Sequence, residues 1–134
     1  MEKILSNGEL YHMVFRVADF EEGRQDLIEP NQHLQCAAIQ MPLGKTFKPH
    51  KHIYKFGPNH ILPQESWVVI KGSVKVFFYG KEDTIICETI LNVGDASFTL
   101  QGAHNYEALE EGTLVLEYKN GPYLGVEKDK IFIE

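Results

Sequence analysis

Short runs rich in Val, Ile, Phe, Tyr and Thr recur along the chain, and Gly, Asn, Asp and Pro separate them at short intervals. Such punctuation belongs to strands joined by tight turns. The pattern predicts ten strands: Tyr11 to Val17, His33 to Gln40, Thr46 to His52, Ser66 to Lys71, Val74 to Tyr79, Thr84 to Leu91, Ala96 to Leu100, His104 to Leu109, Thr113 to Lys119 and Lys130 to Ile133. Gly72, Gly80 to Asp83, Asn92 to Asp95 and Glu110 to Gly112 read as hairpin connections,. Gly44, Gly72, Gly94 and Gly102 suit turns where φ is positive or backbones crowd. The expected fold class is all-β, a sandwich or barrel, with at most one short helix. Asp19 to Ile28 carries the helical signals, with Asp19 and Glu22 spaced as a capping box and Pro30 beyond the end,. Gly23 in its middle weakens them, so the segment reads either as a short helix or as a solvated acidic loop. No internal repeat or linker divides the sequence, and residues 1–134 are expected to form a single domain.

Alternation along a strand also predicts which side chains share a face. His50 and His52 are two residues apart, so a strand aims both at one point,. Glu65 would reach that point from the next strand of a hairpin, and His104 from a strand later in the chain. Three imidazoles and a carboxylate suit a divalent transition metal such as Mn, Fe, Co, Ni or Zn. If Glu65 points inward, so do Trp67 and Val69, while Ser66 and Val68 point outward. Tyr106 then shares the face of His104, and Lys48 that of His50. Trp67 reads equally well as pocket wall and as ordinary core. His12 and His33 read as ordinary histidines, whereas His60 either meets substrate or metal or faces solvent.

The spacing of these residues carries a family resemblance. Gly44, His50, His52, Glu65 and Gly72 resemble the first sequence motif of the cupin superfamily, and Gly94, Asp95, Gly102 and His104 resemble the second. Leu100 stands where the second motif usually has proline, and Ala108 where it has asparagine. The resemblance, over residues 36 to 120, implies a small single-domain jelly-roll β-barrel around a metal held by His50, His52, Glu65 and His104. Ile53 to Gln64 is longer than the connection the family usually has. It reads as an enlarged hairpin tip overhanging the metal as a partial lid, since longer loops close at little extra entropic cost. Small cupins imply isomerisation or epimerisation of sugars, lyase chemistry or dioxygenation, with carbohydrate preferred by analogy. Tyr106, Lys48 and His60 are the candidate acid–base groups. The alternatives are a non-catalytic cupin that binds a sugar or other small molecule, and an accessory protein whose fold serves association.

Composition narrows the partners. A chain of 134 residues with 43% hydrophobic and 24% charged positions suits one ordinary core,. A net charge of −6 offers no general attraction to phosphate backbones or anionic lipid, so neither nucleic acid nor membrane is expected,. No run of about 18 apolar residues and no signal-peptide pattern occurs, and the chain reads as cytoplasmic. Cys36 and Cys87 lie in apolar or β-branched runs and are expected to be buried free thiols,. Glu107, Glu110 and Glu111 read as a solvated surface cluster. Exposed sheet edges predict a homodimer.

Overall fold

A computed structural model of the protein describes residues 1–53, 62–122 and 130–133. Its strands are β1 (Glu2–Ser6), β2 (Glu9–Val14), β3 (Arg24–Asp26), β4 (Leu34–Met41), β5 (His50–His52), β6 (Glu65–Lys71), β7 (Val74–Tyr79), β8 (Ile85–Leu91), β9 (Ala96–Thr99), β10 (Ala103–Ala108), β11 (Thr113–Asn120) and β12 (Lys130–Phe132). One five-stranded sheet has the order β3-β4-β11-β6-β9 and a second the order β12-β5-β10-β7-β8. Every pairing is antiparallel.

The two sheets bury their inner faces against each other. Along β6, Glu65, Trp67 and Val69 are buried while Ser66, Val68 and Ile70 are only partly so, as period-2 alternation requires,. Trp67 and Val69 join Ala37, Ile39 and Met41 of β4, Val74 and Val76 of β7, Tyr106 of β10 and Val115 of β11 in one apolar cluster. Burying each such Val or Ile stabilises the fold by roughly 1.5–3 kcal/mol. The cluster fills one part of the interior, and the polar groups described below occupy another.

All ten expected strands are present, with shifted ends. The most shortened is β5: Pro49 precedes it and has no N–H for a ladder,. Asp19 to Ile28 is not a helix. A single 3₁₀ turn covers Val17–Asp19, Gly23 turns the chain at φ +63°, and Arg24–Asp26 pairs with Ile39, Ala38 and Ala37 of β4. Tertiary pairing here overrides the local capping signal, which three residues can form without a helix following. The expected β5–β6 hairpin is also absent, because these strands belong to opposite sheets. Residues 54–61, which include His60 and most of the expected lid, lie outside the described residues.

Two further corrections concern the surface. Cys87 is exposed and Cys36 half-buried, both as free thiols. Cys87 lies on β8, an edge strand open to solvent along most of its length. Strands β1 and β2 form a two-stranded sheet of their own, and leave Leu5, Leu10 and Tyr11 exposed.

A candidate metal centre inside the barrel

Strand β5 supplies two of the clustered residues and β10 the third. His104 lies directly opposite His50 in the β10–β5 ladder, and directly opposed residues project from the same face. Glu65 opens β6 in the facing sheet and crosses the interior to meet them. Nε2 of His52 is 2.9 Å from Oε2 of Glu65, and Nε2 of His104 is 3.5 Å from Oε1. Nε2 of His104 and Nε2 of His50 are 3.0 Å apart. One donor atom from each of the four residues falls within 4.8 Å of all the others, and all four side chains are buried.

These separations suit a metal ion. Bonds of about 2.1 Å place adjacent donors roughly 3.0 Å apart at right angles and roughly 3.4 Å apart at tetrahedral angles. The donor chemistry agrees. Nδ1 of His50 is 3.2 Å from the carbonyl of Lys48, which can only accept, so Nδ1 holds the proton and Nε2 presents a lone pair. Behind His104, Nδ1 is 2.7 Å from the Thr99 hydroxyl, a contact that orients the ring with Nε2 toward the cluster. Burial, and then the charge on neighbouring His104, lowers the His50 pKa to about 3. Burial likewise lowers that of His104 to about 4. For Glu65, burial acts upward, but His104, His52 and His50 outweigh it and hold the carboxyl below its usual range. Neutral imidazoles beside an ionised carboxylate are the protonation states that cation binding requires.

The remaining sequence candidates occupy different places. Tyr106 is buried and its ring stacks flat on Trp67 at 3.8 Å. Its hydroxyl is 3.2 Å from Ser97 Oγ and 3.5 Å from His104 Nδ1, and burial raises its pKa. Tyr106 therefore lies behind His104, on the side away from Nε2. Lys48 is exposed with its ammonium 5.3 Å from the Phe132 ring centroid; its carbonyl, rather than its amine, addresses His50. His60 lies outside the described residues.

The structure adds residues that the sequence reading passed over. A cavity of about 300 Å³ is lined by Arg24, Glu117, Lys119 and Lys130 among others. Glu117 is buried, accepts from Arg24 Nη2 at 2.9 Å and accepts from Trp67 Nε1 at 3.0 Å. Burial and then repulsion from Glu65 raise its pKa, with Arg24 opposing. Strand parity could have found it, since Thr113, Val115 and Glu117 share one face,.

No protein-family model and no curated protein matches the chain. Solved structures do. KdgF from Halomonas sp. superposes with a TM-score of 0.63 at 18% identity, covering 82% of this chain and 94% of that one. An uncharacterised protein with a double-stranded β-helix domain from Klebsiella pneumoniae gives 0.64 at 15% identity, covering 92% of this chain and 99% of the other. The capsular polysaccharide assembling protein CapF from Staphylococcus aureus gives 0.68 at 19% identity over 96% of this chain, which spans 34% of CapF. The shared property is the fold: this chain is folded as a double-stranded β-helix, with His50, His52, Glu65 and His104 gathered inside it.

Proposed function

We propose that the protein is a metal-dependent cupin acting on a small oxygenated metabolite, with sugars the preferred class. The observation that carries this reading is the buried convergence of His50, His52, Glu65 and His104 within 4.8 Å. Mn, Fe, Co, Ni or Zn would suit this donor set, and such an ion supplies Lewis-acid or redox chemistry when bound. Isomerase or epimerase, lyase and dioxygenase activities are the reaction types considered. The preference for carbohydrate draws support from the likeness to CapF, a capsular polysaccharide assembling protein. Among the described residues Glu117, buried against Trp67 and Arg24, is a candidate proton-handling group, because burial raises its pKa,. The protein is further read as a cytoplasmic homodimer with a small-molecule ligand and with neither nucleic acid nor membrane as partner, in keeping with its net charge of −6.

A second reading is a non-catalytic binding module. It is favoured by the placement of Tyr106, stacked behind His104, and of Lys48, exposed beside Phe132. The test loads the protein in turn with Mn, Fe(II), Co, Ni and Zn and follows aldoses, ketoses and small hydroxy acids by NMR. Turnover that His104→Ala abolishes supports the enzyme. Saturable binding without turnover, with or without metal, supports the module, and failure to retain any of the metals overturns the metal-dependent enzyme.

A further inference from the structure

The polar groups behind His104 form a chain rather than a single contact. Thr99 Oγ1 is 2.7 Å from His104 Nδ1 and also hydrogen-bonds the Tyr106 hydroxyl. That hydroxyl is in turn 3.2 Å from Ser97 Oγ. Ser97 and Thr99 alternate along β9, and His104 and Tyr106 along β10, so strand parity gives each pair a common face,. All four residues are buried. The Tyr106 ring is fixed from its other side as well. It stacks on Trp67 at 3.8 Å with the planes 3° apart, the Trp67 indole N–H donates to Glu117, and Glu117 accepts from Arg24.

A chain of hydroxyls has a direction. For His104 to present Nε2 to a cation as a lone pair, the proton of the neutral ring must sit on Nδ1, from which it is donated to Thr99. The Thr99 hydroxyl must then send its own proton elsewhere, because a donor turned toward Nδ1 favours the tautomer with its proton on Nε2. Tyr106 accepts from Thr99 and donates to Ser97, as a hydroxyl can do both at once.

We infer that Tyr106 is a positioning residue of the metal centre: acting through Thr99, its hydroxyl holds His104 in the tautomer that binds a cation. The inference rests on the metal-centre reading of the cluster. Its test uses whichever of Mn, Fe(II), Co, Ni and Zn the protein retains most tightly, with affinity read by chelator competition. Tyr106→Phe keeps the ring on Trp67 and removes its hydroxyl, and Thr99→Val removes the other with little change of shape. Each should lower metal affinity about tenfold or more, as loss of a partner behind a ligating histidine does. The double variant should bind no more weakly than the weaker single, since either change already breaks the chain. Thr99→Ser, which retains a hydroxyl, should stay near wild type. Urea unfolding followed by fluorescence of Trp67, the sole tryptophan, separates loss of fold from loss of affinity. Should Tyr106→Phe not fold, Ser97→Ala, which removes the acceptor of the phenol's proton, takes its place in the cycle. Unchanged affinity in the single variants, or losses that multiply in the double variant, overturns the inference and leaves the metal centre standing. Retention of none of the five metals by the wild type would overturn the metal-centre reading, and this inference with it.

Discussion

Thr99, the Lys48 carbonyl and Glu65 orient the imidazoles of His104, His50 and His52 respectively, which gives each histidine a defined aim. Removing a donor should therefore act on metal content before it acts on fold. His50→Ala and His52→Ala should each lower bound metal strongly in elemental analysis, and Glu65→Gln should weaken it while keeping shape. His12→Ala and His33→Ala should leave it unchanged; equal content in all these variants would refute the ligand assignment. The same residues set an acid limit for metal-free protein. Imidazoles titrate at 6.5 when unperturbed, against about 3 for His50 and about 4 for His104 in the fold. Between these values the unfolded chain binds more protons, so stability is full above pH 6.5 and falls as pH drops toward 4,. Glu65, with a lowered folded pKa, acts in the same direction below its ordinary 4.5. At pH 5 the loss should reach on the order of 2 kcal/mol per imidazole. A melting temperature of metal-free protein that stays flat from pH 7.5 to pH 5 would contradict this account.

At the scale of elements, the approach to β10 depends on one turn. Gly102 has φ +88°, and a Cβ there would lie 2.6 Å from the Tyr79 carbonyl oxygen. Gly102→Ala should destabilise the protein by about 1–3 kcal/mol, read as a lower midpoint in urea. Because His104 follows two residues later, metal affinity should fall as well; unchanged stability and affinity would show that the turn relaxes freely. The motif spacing made this glycine and His104 legible in the sequence. The partner of the turn was not legible, since Tyr79 reaches Gly102 only through the β7–β10 pairing.

On the scale of the whole molecule, the β1–β2 hairpin stands apart from both five-stranded sheets. A two-stranded hairpin is marginal in water by itself, and this one exposes Leu5 at 59% and Tyr11 at 62%. Docking against a second copy would cover them, and this hairpin is the proposed interface of a homodimer. Deleting residues 1–15 should yield a monomer in sedimentation with the barrel and its metal content intact. A dimer that survives the deletion would move the interface to an edge strand or a sheet face elsewhere.

Period-2 alternation and turn glycines sufficed for the all-β class and ten of the strands, and strand parity for the shared face of His50 and His52. Each is a local property, because a strand's pleat decides which neighbours in sequence share a face. Tertiary structure decided what lies across that face. Whether β5 and β6 form a hairpin or oppose each other, whether Arg24–Asp26 is a helix or an edge strand, and whether Tyr106 faces the centre of the cluster or stands behind His104 all depend on pairings between distant segments. The placement of Lys119 opposite Glu65 and of Lys130 opposite His52 has the same origin. Ladder register is set by long-range packing of the two sheets, and the pattern within any one strand does not contain it.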